Sequence, residues 1–227
     1  MGKWYDYIEC SANETFRVDA QRILRSDVEQ LVINIQPAIC LFGLLTNITF
    51  LVVIFRTKTM HTNTNAYLVN LSIADLIYLI STTIIEQVTG HTSPFTRDQG
   101  WLGPAGCYIT TFLYYLTFYT SILLVTVISF ERYLAVCYPF VHRRMASKGR
   151  TNKTIFVCWV MSALLSIPLM VRSSKFFYEC VSFPKEFSHL PTVIGYCIPS
   201  FPMTGPLYMS LDFVFEVLIF YLCLLCK

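Results

Sequence analysis

Charged residues are missing from long stretches of the chain and crowd into the gaps between them. Residues 31–55 form 25 consecutive uncharged positions, and residues 63–89 are apolar except for Asp75 and Glu86. Residues 104–130 are uncharged over 27 positions, and the apolar pattern runs on to 137 past Glu131 and Arg132. Residues 152–171 contain 18 uncharged positions from 154 onward. A last apolar run, 207–226, is interrupted by Asp212 and Glu216. About 20 apolar residues in a helix cross the hydrocarbon core of a bilayer. The pattern therefore predicts five membrane-spanning helices behind a polar tail, residues 1–30, with 31–227 as one bundle. Between the last two spans, 176–181 and 192–197 are rich in β-formers, with Pro184 and Pro191 between them. That arrangement predicts a β-hairpin.

Composition agrees. The 227 residues are 55% hydrophobic and 14% charged, whereas soluble domains carry about 25% charged residues. A globular enzyme is thereby excluded. The four histidines, His61, His91, His142 and His189, are scattered over loops and span ends. There is no nucleotide loop, metal quartet or nucleophile motif, nor the paired broken helices of many transporters. The chain is read as a non-enzyme whose first partner is the lipid bilayer, with no nucleic acid partner.

The net charge of +3 is mild, so position matters more than sum. With the N-terminus outside, the inner stretches carry Arg56, Lys58, Arg132, Arg143, Arg144, Lys148, Arg150 and Lys153. The outer connections carry only Arg97, Arg172, Lys175 and Lys185. The positive-inside rule then favours N-out, with Lys227 in the cytoplasm. The tail shows no charged-then-apolar leader, and Asp6 replaces the Ser or Thr that myristoylation needs. The first span is expected to serve as its own insertion signal. Asn13-Glu14-Thr15 is a glycosylation sequon in an outer position. Matching triplets at Asn47, Asn70 and Asn152 lie in spans or inside and are read as chance.

The most specific string is Ser129-Phe130-Glu131-Arg132-Tyr133-Leu134-Ala135-Val136-Cys137-Tyr138-Pro139. With Asp75 in the second span, Trp159 in the fourth and Cys107 at the outer start of the third, it resembles the rhodopsin-like (class A) family of G-protein-coupled receptors. The run from Asn65 to Leu76, Glu86, and Gly103-Pro104-Ala105-Gly106-Cys107-Tyr108 are similar to the neuromedin U, pyrokinin and thyrotropin-releasing-hormone receptor group. The implied fold is an all-α membrane protein, a partial seven-transmembrane bundle with five spans present and a β-hairpin in the second extracellular loop. The implied function is a plasma-membrane receptor for a (neuro)peptide that signals to a heterotrimeric G protein. Association with a second receptor copy is a further expectation.

The resemblance also assigns residues. Cys107 is expected to bridge to Cys197, while Cys10 and Cys180 are either a second pair or free thiols. Cys40, Cys137, Cys158, Cys223 and Cys226 are read as small buried thiols. Asp75, with Asn47 and Ser121 at matching depth, is either a sodium site, the single cofactor implied, or hydrogen-bonded glue between helices. An acid in mid-bilayer costs about 2.5–3.5 kcal/mol on insertion scales, so it must find partners either way. Arg132 is expected beside Glu131, in a pairing whose release opens the G-protein cleft; a snorkelling arginine is the plainer reading. Tyr133 completes the triplet, Pro139 ends the helix, and Phe140 would dock into the G protein. Trp159 and Pro168 are read as structural.

For the ligand, amine receptors carry an aspartate where this chain has Tyr114, followed by Tyr115, Phe118 and Tyr119. Aromatic walls with hydroxyl tips suit a peptide better than a monoamine, although an aromatic stripe can also be plain helix packing. Glu86 would meet a basic ligand side chain, or else bond to a loop.

Three features depart from the family. The fifth span has Glu216 near the usual proline and Leu224 at the usual tyrosine. Asp212 and Glu216 share a face, as an acidic wall or as a diverged end. Thr46 stands where a glycine usually precedes the asparagine. Helices six and seven are not in this sequence, so the chain is read as an N-terminal portion. The alternative is a non-signalling truncated isoform that associates with and regulates the full-length receptor, or is retained in the endoplasmic reticulum.

Overall fold

Ser26 opens the first long helix. Its hydroxyl accepts from the amide of Glu29, whose carboxylate accepts from the Ser26 amide at 3.0 Å, a reciprocal capping box. The computed structural model describes residues 16–17, 24–95, 98–145, 147–173, 175–182 and 192–198. Because of the capping box, α1 spans Asp27–Arg56 and starts a turn before the apolar run. Thr62 caps α2, Asn63–Thr92, by accepting from the Asn65 amide. Pro104 sits in the first turn of α3, Gly103–Cys137, where its missing N–H is not needed. Tyr138 ends that helix ahead of Pro139, as expected. Pro139 then starts a short helix, α4, Pro139–Met145, which the hydropathy pattern did not announce. Ser147 accepts from the Arg150 amide at 3.3 Å and begins α5, Lys148–Ser173, ahead of the uncharged run.

The four long helices are each long and apolar enough to cross a membrane. They run up and down, with α3 packed between α2 and α5, and α1 against α2. Apolar side chains on α1 such as Val28, Val32, Phe42 and Phe55 face outward, as lipid-facing positions do. Between helices, small and hydroxylated residues allow close approach. Thr117, Thr120, Ser162 and Ser166 are buried, and their hydroxyls donate to carbonyls one turn back. No polar atom of theirs is left facing hydrocarbon. At Gly43 a Cβ would come within 2.6 Å of Leu79 Cδ1, so the Leu79 side chain packs directly over this glycine between α1 and α2. Tyr67, Leu124, Ile155 and Cys158 form the core among α2, α3 and α5.

The predicted hairpin is present. Strand β2, Lys175–Ser182, pairs antiparallel with β3, Val193–Ile198, with Phe176 opposite Cys197 and Tyr178 opposite Gly195. One pairing was not foreseen: β1, Phe16–Arg17, runs parallel to β2 at Val181 and Ser182. Phe95, Val181 and Ile194 form a small apolar cluster under the hairpin. The expected fifth span, with Asp212, Glu216 and Leu224, and the sequon at Asn13 lie outside the described residues.

Candidate functional site

The hairpin end is held by three polar devices. Arg25, just before α1, donates to the carbonyls of Gly90 at 2.7 Å, Ser93 and Phe95 at 3.1 Å, and Thr89 at 3.3 Å. A planar guanidinium can serve several acceptors at once, and here it closes the carbonyl end of α2. Asp98 is buried, and its Oδ1 accepts from the amides of Gly100 and Gly195, each at 3.1 Å. The amide of Gln99 returns a bond to the Gly195 carbonyl at 2.8 Å. Trp101 Nε1 donates to Thr89 Oγ1 at 3.0 Å. The Cys107–Cys197 disulfide then ties β3 to the start of α3, across 90 residues. Cys180 is disulfide-bonded as well, while Cys40, Cys137 and Cys158 are free thiols. Cys137 is exposed, contrary to the buried reading, because the apolar packing of α3 ends at Leu134.

Below this collar lies a run of rings. Tyr114 is 5.5 Å from Tyr78 between centroids, 5.3 Å from Tyr115 in an edge contact, and 6.5 Å from Phe118 in a stacked one. Tyr115 stacks with Tyr119 at 6.3 Å. Tyr114 is exposed among the described residues. Glu86, also exposed, lies eight residues beyond Tyr78 on α2 and makes no ion pair or hydrogen bond among the described residues.

Midway along the bundle, Ser121 Oγ donates to Asp75 Oδ1 at 3.0 Å. Asn47 is not drawn in: its Nδ2 donates to the Gly43 carbonyl of its own helix at 2.9 Å. The carboxylate and hydroxyl oxygens brought together here are hard donors of the kind that suit a small hard cation. Further along, Trp159 Nε1 donates to Asn70 Oδ1 at 3.1 Å, which joins α5 to α2.

At the basic end the expected pair is not formed. Buried Glu131 accepts from the Tyr67 hydroxyl at 3.1 Å and pairs with Arg150 at 3.6 Å, both through Oε1. Arg132 is exposed. Neighbouring helix positions point about 100° apart, so Glu131 faces α2 and α5 while Arg132 faces away from them. The Tyr133 ring lies 5.9 Å from that of Tyr138, and Phe140 is 87% exposed.

Residues 46–226 match the model of the 7 transmembrane receptor (rhodopsin family). The chain belongs to the rhodopsin family of seven-transmembrane receptors. It is 33% identical over 145 residues to neuromedin-U receptor 2 of Mus musculus, an overlap of 63% of this chain and 35% of that one. It is 30% identical over 156 residues to the thyrotropin-releasing hormone receptor of Homo sapiens, covering 67% and 37%. With the neuromedin U receptor homolog nmur-2 of Caenorhabditis elegans it shares 34% identity over 137 residues, covering 60% and 33%. The chain spans about a third of the length of each. It is a multi-pass membrane protein of the rhodopsin family, similar to peptide receptors.

Sequence reasoning passed over four residues of this rhodopsin-family chain: Arg25, Tyr67, Asp98 and Arg150. Asp98 carried a signal, an acid two residues ahead of Gly100 that can bond its own backbone as such turns do. Arg150 enters the sequence reading only as a charge for orientation, and Arg25 is one polar residue of the tail. Nothing in the local pattern around Tyr67 separates it from other apolar positions of its span.

Proposed function

We infer that the chain works as part of a receptor for a neuropeptide, with the hairpin end outside the plasma membrane and the basic end toward a heterotrimeric G protein. One arrangement carries this reading. The disulfide-anchored collar and the ring cluster of Tyr114, Tyr115 and Phe118 lie at one end of α3, and exposed Arg132 and Phe140 lie at the other. Rings with hydroxyl tips give a peptide both apolar area and hydrogen bonds, and Glu86, without an ion pair among the described residues, supplies the charge for a basic ligand residue. Eight basic residues in the inner stretches against four in the outer connections between spans support that orientation. On the inner side Glu131, Arg132, Tyr133, Pro139 and Phe140 form the face toward the G protein: Pro139 turns the chain, and Phe140 offers an apolar anchor. Asp75 and Ser121 would hold a sodium ion, whose charge would neutralise the carboxylate inside the bundle.

Peptide binding to membranes of cells that express the protein tests this. Neuromedin U, thyrotropin-releasing hormone and a panel of basic peptides serve as probes. One of them is expected to bind saturably and to promote nucleotide exchange on a G protein. Glu86→Gln is expected to weaken that peptide about tenfold, or 1.4 kcal/mol, and to leave an analogue without the basic residue unaffected. Glu86→Gln with unchanged potency would remove Glu86 from the site. Loss of saturable binding to every probe would sink the peptide reading.

A further inference from the structure

Glu131 is the one acid of its helix turn, and its side chain is buried. A carboxylate stripped of water is costly unless a cation and hydrogen-bond donors replace the hydration. Both replacements come from other helices. Tyr67, 1% exposed on α2, donates its hydroxyl, and Arg150 on the first turn of α5 brings Nη2 to 3.6 Å from the same oxygen. The first turn of α5 is itself fixed. Ser147 accepts from the amides of Arg150, through Oγ, and of Thr151, through its carbonyl at 3.1 Å, and the Thr151 side chain is buried. Arg150 therefore meets Glu131 without distorting its own helix. Arg132 is placed differently: it is exposed, and among the described residues it forms no ion pair or hydrogen bond. To reach Glu131 its guanidinium would have to fold back from an exposed face into a packed one.

We propose that Arg150 is the resident counter-ion of Glu131, and that it keeps the neighbouring Arg132 free. Two guanidiniums compete for one buried carboxylate, and the one on α5 holds it. The consequence rests on the receptor reading above: Arg132 is the group offered to the G protein, and Arg150 is a positioning residue that presents it. Removing Arg150 takes away the cation that pairs with Glu131 among the described residues and leaves Arg132, its chain neighbour, to compete for the vacated carboxylate. The inner end of α3 then changes from partner-facing to self-paired.

Arginine labelling with phenylglyoxal, read residue by residue by mass spectrometry on the full chain in open membrane fragments, tests the pairing itself. Arg132 is expected to label faster than Arg150. Glu131→Gln keeps an acceptor for Tyr67 but removes the charge. It is expected to raise the Arg150 rate about fivefold, as loss of a modest ion pair would, and to leave Arg132 unchanged. Arg150→Gln is expected to slow Arg132 by a similar factor, and Arg150→Lys to keep it at the parent rate. If Glu131→Gln released Arg132 instead and left Arg150 indifferent, the neighbour pairing would be the real one and the proposal would fail. The unmodified chain decides independently of any variant: Arg150 labelling as fast as Arg132 overturns the assignment. No step uses a peptide or a nucleotide, so failure here and failure of the receptor reading are told apart.

Discussion

Asp98 and Gly195, 97 residues apart, are joined by a hydrogen bond of 3.1 Å from the Gly195 amide to the Asp98 carboxylate. The same oxygen accepts from Gly100, so one buried side chain fixes both the turn ahead of α3 and the hairpin strand that bears Cys197. Charge-assisted bonds of this type are the stronger ones. The disulfide and the Asp98 clamp grip β3 two residues apart, which sets the height of the hairpin above the ring cluster.

Asp98→Ala leaves two amide donors without this acceptor in a buried place. A loss of about 2–3 kcal/mol is expected, seen as a lower melting temperature in detergent. Faster hydrogen exchange at Gly100 and Gly195 should accompany it. Unchanged exchange at both amides would show that the clamp does not hold in solution.

Gly195→Ala and Gly149→Ala should have opposite signs. A Cβ on Gly195 would collide with the backbone of Gly100, whereas nothing lies within 4 Å of one on Gly149. The first is expected to lower the yield of the Cys107–Cys197 disulfide. The second lies on the helical first turn of α5 and should stabilise by about 1 kcal/mol or less. Equal disulfide yield in both variants would contradict the contact.

Arg25→Lys tests whether the end of α2 needs a fork or only a charge. Lysine is a point charge with three donors and cannot reproduce a planar fork over spread acceptors. A loss of about 1–2 kcal/mol is expected, most of the effect of Arg25→Ala. A lysine variant that melts with the parent would show that charge suffices.

Sodium should stabilise through Asp75. A tenfold excess over its dissociation constant raises stability by about 1.4 kcal/mol, read as a higher melting temperature in sodium than in choline at equal ionic strength. Asp75→Asn is expected to abolish the difference, and Ser121→Ala to reduce it. A sodium increment that survives Asp75→Asn would place the ion elsewhere.

The ends of helices show how far local pattern reaches. Ser26 with Glu29 and Thr62 with Asn65 are capping signals within one turn, and a reader of the string can find them. The hairpin was equally visible, since β-formers flanking two prolines report on a few adjacent residues. Its third strand was not, because Phe16 and Val181 are 165 positions apart and no local preference selects that partner. Tyr114 and Phe118 could be named as a ring pair from their spacing of four. Tyr78 could not, since only the packing of α2 on α3 brings it to Tyr114.

By itself, then, the sequence determined which segments are apolar enough to leave water, that Pro139 closes the third long helix, and which residue strings resemble rhodopsin-like receptors. Those properties are additive over neighbouring residues. Tertiary structure alone decided that Glu131 pairs with Arg150 and not Arg132, that Ser121 reaches Asp75 while Asn47 bonds to its own helix, and that Asp98 spans two loops. Each of these depends on how one helix is rotated against the next. A rotation of one residue, about 100°, exchanges a partner for lipid or water, and no periodicity along a single helix records it.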